Sequence, residues 1–259
     1  MQQTSSDADV LRDIVRRWRL DAVAFVREVL EVTNLEPFQV EALHALSQGK
    51  RVAIRSGHGV GKTALEAWAI LWFASTRLPF KIPCTANTGS QLYDVLWAEV
   101  GIWLRKMRQT WPLLGNRLDL TQDRMEVVTA RTESFAAART ARRENPEALQ
   151  GFHSENLLFV IEEASGIDEK IFEVAEGALS TPGALVLMAG NPTRRSGYFF
   201  RAFHADRDYW RCLHVPCGAS SRVSPEFIER MKPDSAGARV VIIVETIAAS
   251  RHPQMELAA

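Results

Sequence analysis

The chain predicts an α/β fold with a mainly parallel central sheet flanked by helices, on three observations. Short apolar runs at residues 51–54, 81–86, 125–129, 157–161 and 185–189 alternate with helix-length stretches at 64–75, 91–108 and 169–179. The first run feeds a glycine-rich loop, Ser56-Gly57-His58-Gly59-Val60-Gly61-Lys62-Thr63, which opens directly into a helical pattern. The fourth run ends in two adjacent carboxylates, Glu162 and Glu163. Strand, phosphate loop, helix and a later acidic strand define the class as a P-loop NTPase of the helicase/RecA-like (ASCE) type.

Before the loop, Val10, Leu11, Ile14, Val15, Trp18, Ala22, Phe25, Val26, Val29 and Leu30 recur at helical spacing with arginines between them. They predict one or two amphipathic helices packed on the core, an N-terminal helical segment over 1–34. After Leu35-Glu36-Pro37-Phe38-Gln39 a second helix should run through about Leu46 and stop at a turn around Gly49. Residues 131–138 allow a further strand or an irregular segment, and 223–230 begin a helix. Beyond that, the apolar run Val240–Val244 has no second hydrophobic unit to pair with. The division is an ATPase domain over 35–230 and a divergent tail over 231–259, too short to build a core alone.

Composition bounds the function. The 259 residues are 46% hydrophobic and 24% charged, with Lys+Arg and Asp+Glu both at 31. Nothing global drives the chain toward a polyanion, so any nucleic-acid contact must come from local patches. Cys84, Cys212 and Cys217 form no paired framework and suit a reducing compartment. Cys212 and Cys217 flank His214 but match no zinc spacing, so both are expected as buried or half-buried strand residues. No signal peptide opens the chain and no apolar run reaches membrane-spanning length, so a cytoplasmic protein without a membrane partner is expected.

The loop residues Ser56, Gly57, His58, Gly59, Val60 and Gly61 bring backbone N–H groups against phosphate oxygens at a helix N-terminus. Ser56 stands where the full pattern has its first glycine. Lys62 should reach the β- and γ-phosphates, and the Thr63 hydroxyl should ligate Mg²⁺. Glu162 occupies the metal position, where Asp is commoner, and Glu163 the position that orients or deprotonates the attacking water. Asn191, in Gly190-Asn191-Pro192-Thr193 after the next strand, can hydrogen-bond phosphate or that water. Upstream, Gln39 can pair with both N6 and N7 of adenine, which favours ATP. The strand-end loop Cys84–Gln91 is a candidate contact to nucleic-acid phosphates or an ordinary capping turn, and the basic stretches 139–143 and Arg194-Arg195 are candidate arginine fingers or DNA contacts, or solvated faces.

In order, Leu-x-Pro-x-Gln, Ser-Gly-His-Gly-Val-Gly-Lys-Thr, Thr-Ala-Asn-Thr, Ala-Leu-Gln-Gly-Phe-His, Val-Ile-Glu-Glu-Ala-Ser-Gly and Gly-Asn-Pro-Thr resemble the ATPase domain of the large terminase subunit of tailed bacteriophages. The resemblance runs from about Leu35 to Arg230. It implies an ATP- and Mg²⁺-dependent motor that drives double-stranded DNA into the prohead. Its implied partners are DNA, a small terminase subunit and a portal protein, with a homo-oligomeric ring possible. By resemblance Gln39 reads adenine, Lys62 and Thr63 hold phosphate and Mg²⁺, Glu162 and Glu163 are the acidic pair, and Asn191 couples hydrolysis to movement. Many members carry Arg four positions before the lysine, where His58 stands here. Arg139 is then the candidate finger, in its own site or a neighbour's. Members normally continue into a nuclease domain, which is expected to be missing here, as in a truncated prophage copy or half of a split gene. The alternatives are a helicase-like DNA-dependent ATPase outside packaging, and an inactive remnant.

Overall fold

The computed structural model describes residues 7–140, 149, 151–179 and 181–231. The tail beyond Met231, residues 141–143 of the basic stretch, and Ala148 and Gln150 of the Ala-Leu-Gln-Gly-Phe-His motif lie outside the described residues. The first half of the chain forms α1 (Asp7–Leu20), α2 (Ala22–Val29), α3 (Pro37–Ser47), β1 (Arg51–Ser56), α4 (Lys62–Thr76), β2 (Lys81–Ala86), α5 (Ala98–Thr110) and α6 (Pro112–Gly115). The second half forms β3 (Leu118–Leu120), β4 (Arg124–Val127), β5 (Phe135–Ala138), β6 (Leu158–Glu162), α7 (Glu169–Ala178), β7 (Leu185–Gly190), α8 (Tyr198–Ala202), β8 (Trp210–Val215) and α9 (Pro225–Met231).

The eight strands make one sheet in the order β3-β4-β5-β2-β6-β7-β1-β8. From β5 to β8 every neighbour is parallel; β3 and β4 add an antiparallel margin. Both faces of the parallel part are covered, and alternate residues of each strand divide between two cores as the pleat requires. Val52 and Ile54 of β1, Leu158 and Val160 of β6, and Leu185 and Leu187 of β7 join one core. Ala53, Phe159, Ile161, Val186 and Met188 join the other, under α7 and α8.

Helix α4 is enclosed in the first core. Thirteen of its 15 residues are buried, so it is apolar nearly all round, the pattern of a helix with no solvent face. Trp72 of α4 donates its indole N–H to the Trp18 carbonyl at 2.6 Å. Trp18 in turn meets Phe25 and Trp111 edge-on, at 5.9 and 4.8 Å between ring centroids. The N-terminal helices are therefore part of the core shell, as the helical spacing of their apolar residues predicts.

Several expectations shift in detail. The run at 125–129 forms β4, which is antiparallel because only a few residues connect it to β3 and β5 on either side. The helix expected at 91–108 begins as a wider π-helical stretch, Ser90–Trp97, before α5. Within 131–138 the strand is Phe135–Ala138. Strand β3 was not expected, and β8 was anticipated only in that Cys212 was expected in a strand. Cys84 and Cys212 lie in strands, but Cys217 lies in a 3-10 turn, Cys217–Ala219, because β8 has already ended at Val215. No described helix is long and apolar enough to cross a membrane.

Candidate nucleotide-binding site

Register brings the candidate residues together. Val52, Ala53, Ile54 and Arg55 of β1 pair with Leu187, Met188, Ala189 and Gly190 of β7, and Ile161 of β6 pairs with Met188. One and two residues beyond Ile161, Glu162 and Glu163 stand level with Ala189 and Gly190. Three strands thus deliver the phosphate loop, the carboxylates and Asn191 to the same edge of the sheet. That edge, at the carboxyl ends of parallel strands, is where open α/β folds bind ligands.

The loop itself demands glycine at two points. Gly59 and Gly61 have φ of +75° and +96°, and Gly61 is the N-cap of α4. The Lys62 ammonium, buried at the start of the helix, donates to Gly57 O at 3.0 Å and Asn191 Oδ1 at 3.2 Å, and lies 3.9 Å from Glu163 Oε1. Thr63 Oγ1 donates to Glu162 Oε1 at 3.1 Å. Asn191 completes the cluster: its backbone N–H donates to Glu163 Oε2 at 3.2 Å, and its Nδ2 lies 2.6 Å from Nε2 of His58. Lys62, Thr63, Glu162, Glu163, Asn191 and His58 are thus gathered at one strand-end cluster.

Glu163 sits at φ +50°, a left-handed conformation uncommon outside glycine. Its backbone presses on β7: a Cβ added at Gly190 would lie 3.0 Å from Ala164 N and 3.3 Å from Glu163 Cα. Gly190 is glycine because the carboxylate turn occupies the space a side chain would need. Behind it, Ser165 Oγ accepts from the N–H groups of Thr193 and Arg194 at 3.1 and 3.2 Å, tying the turn after β6 to the turn after β7.

A hydroxyl and a carboxylate oxygen side by side are hard donors suited to Mg²⁺, which takes its remaining ligands from phosphate and water. Among the described residues no three His, Cys, Asp or Glu side chains form a metal cluster of their own.

Gln39 is fully buried, and both ends of its amide are engaged. Oε1 accepts from Glu36 N at 2.9 Å within the capping box of α3, and Nε2 donates to Gly61 O at 2.9 Å. It therefore holds the end of the phosphate loop; reading adenine would require it to release one of these bonds. Arg139 is exposed at the end of β5, where its N–H donates to Cys84 O. Strands β2, β6 and β7 separate β5 from β1, four spacings or roughly 19 Å at about 4.8 Å each. Arg194 and Arg195 are exposed on the turn after β7.

Two features were missed by sequence reasoning. The first is Glu66, one helical turn after Lys62 and wholly buried, whose two carboxyl oxygens find no ordinary donor; nor does Glu162 Oε2. Burial, with the neighbouring Glu162 second, holds the Glu66 carboxyl well above the usual carboxylate range. The second is a strap after β8. Gly57 N donates to Val215 O, and Ser220 Oγ, Ser221 N and Ser221 Oγ all donate to Glu36 Oε1, at 3.3, 3.1 and 2.6 Å. The strap crosses so closely that a Cβ on Gly57 would fall 2.0 Å from Cys217 Sγ.

Gly57→Ala should therefore lower stability by about 1–3 kcal/mol through overpacking. Adding Cys217→Ala should restore most of it, because the remaining Cβ lies at an ordinary 3.5 Å. Denaturant melts of the single and double variants decide it; a double variant no more stable than Gly57→Ala rules out the strap contact as the cause.

Fold and site together have the arrangement of a P-loop domain in which β7 intervenes between the loop strand and the acidic strand. Among known proteins, the chain is 29% identical over 194 residues to a probable terminase large subunit of Enterobacteria phage P7, covering 74% of this chain and 39% of that protein. The chain thus spans about two-fifths of the length of that curated relative. In structure it is similar to the large terminase ATPase domain of Thermus phage P74-26, with a TM-score of 0.56 at 16% identity over 73% of this chain and 83% of that one. It is also similar to the large terminase of a second, thermophilic bacteriophage in complex with ADP, with a TM-score of 0.62 at 14% identity over 80% and 52%. No protein-family model matches the chain. The fold is that of large terminase ATPase domains, as the order of motifs predicts.

Proposed function

We propose that this chain is an ATP-hydrolysing motor domain of a phage terminase large subunit, driving double-stranded DNA into a prohead. The observation that carries this reading is the single cluster of Lys62, Thr63, Glu162, Glu163 and Asn191 at the carboxyl ends of β1, β6 and β7. Nucleotide choice is supported by the thermophilic phage terminase, which is known in complexes with ADP and ATP-γ-S. Thr63 and Glu162 would hold Mg²⁺, which neutralises phosphate charge when bound. Lys62 exchanges its bonds to Gly57 and Asn191 for phosphate oxygens. Glu163 orients the attacking water and accepts its proton. Asn191, bonded at once to Lys62, Glu163 and the His58 ring, passes the change at the phosphate to the turn after β7.

The same reading assigns the ATPase domain to residues 35–230 and gives the chain a small terminase subunit, a portal protein and a homo-oligomeric ring as partners. The separation of β5 from β1 favours Arg139 acting on a neighbouring copy's site. Steady-state ATP hydrolysis, with and without double-stranded DNA, is the test. Mg²⁺-dependent turnover that rises with duplex is expected, and Arg139→Ala should remove much of the rise. Turnover requiring single strands instead supports a helicase-like ATPase, and nucleotide binding without turnover an inactive remnant.

A further inference from the structure

The strap after β8 carries an arginine to the phosphate loop. Its path is fixed by the Ser220 and Ser221 bonds to Glu36, by the Arg222 N–H donating to Ser220 Oγ at 3.2 Å, and by Val223 lying 3.8 Å from the Cβ position of Gly59. From there the Arg222 side chain runs across Gly61: its Nε and Cδ lie 3.2 and 3.3 Å from the Cβ position of that glycine, beside Gln39 Nε2 at 2.9 Å. Any side chain at residue 61 would collide with this pair.

The electrostatics of that location are unfavourable for a cation on its own. Gly61 caps the N-terminus of α4, where the helix dipole is positive, and Lys62 is the next residue. Arg222 is exposed, and among the described residues no carboxylate pairs with it. A guanidinium held by an ordered strap against a positive helix end and a lysine is a surface arranged for an anion. We propose that Arg222 is a phosphate-binding residue of the nucleotide site, pairing from the outer side of the loop with a non-bridging oxygen of the nucleotide's α- or β-phosphate.

This inference rests on the nucleotide-binding reading, and the experiment separates the two. ADP binding to the full chain is measured by calorimetry for the parent, Arg222→Gln and Arg222→Lys, at two salt concentrations and alongside thermal melts. Arg222→Gln should weaken ADP by about tenfold, the low end for a charge-assisted bond because the group is exposed. Its salt dependence should be shallower than the parent's, Arg222→Lys should recover most of the affinity, and all three should melt alike. Parent-like affinity in Arg222→Gln overturns the inference. So does equal weakening in Gln and Lys variants with lowered melting, which marks a structural strap residue. A parent chain that fails to bind ADP overturns the nucleotide reading itself, and the inference with it.

Discussion

Glu163→Gln should bind ATP like the parent and hydrolyse it about 10²- to 10⁴-fold more slowly, the range for loss of a positioned general base. The substitution keeps shape and an acceptor oxygen for the Asn191 N–H, so the link between the two strand-end turns survives. Lys62 and Thr63, which would carry most of the phosphate and metal contact, are untouched. Glu162 cannot take over: it is buried, and one oxygen already accepts from Thr63. The loss should therefore appear in kcat with KM little changed, the signature of an interaction made in the transition state alone. Single-turnover hydrolysis alongside equilibrium binding checks it. Turnover within a few-fold of the parent removes Glu163 from the role of base.

That this residue could be singled out from sequence, while others could not, has a physical cause. The phosphate loop, the acidic pair and Gly190-Asn191 are local signals: each is a strand end, a few polar residues and a turn, contiguous in the chain. Their grouping followed from parallel strands ending at a common edge. Gln39 stands out in the sequence by its position, but its engagement in the cap does not. The capping signals of Glu36 and Pro37 beside it are equally local, and they occupy the amide that the resemblance turns toward adenine. Strand β8 was obscured by its composition, because Arg211 and His214 interrupt an edge strand with only Leu213 and Val215 buried. Without β8 beside β1, nothing in the sequence brings Cys217 to Gly57 or Arg222 to Gly61. Those contacts span some 160 residues of chain, and only the sheet order creates them. Glu66 was hidden differently. In a helix pattern a single glutamate reads as a solvent-facing residue, and only the enclosure of α4 on all sides turns it into a buried acid.

Glu66 carries the largest stability prediction. Glu66→Ala should destabilise the chain by about 2–5 kcal/mol, as for other deeply buried side chains of similar length. It leaves a cavity beneath the loop helix and removes the group facing Glu162. Glu66→Gln should cost far less, since it fills the same volume and its amide can donate to Glu162 Oε2, which has no other partner. The two variants should also differ from the parent in pH dependence. The folded pKa of Glu66 lies above its ordinary 4.5, so between these values the unfolded chain loses a proton that the folded chain keeps. Stability from this group is fully present below 4.5 and falls as pH rises toward the folded value. Glu66→Gln has no such proton, so its melting temperature should decline less than the parent's from about pH 4.5 upward, and the two curves should diverge with pH. Thermal melts in chelator, which keep metal off Glu162, isolate the effect. Parallel curves for parent and Glu66→Gln show that Glu66 is ionised in the fold, and a parent-like Glu66→Ala shows that the carboxyl contributes nothing to holding α4 against β6.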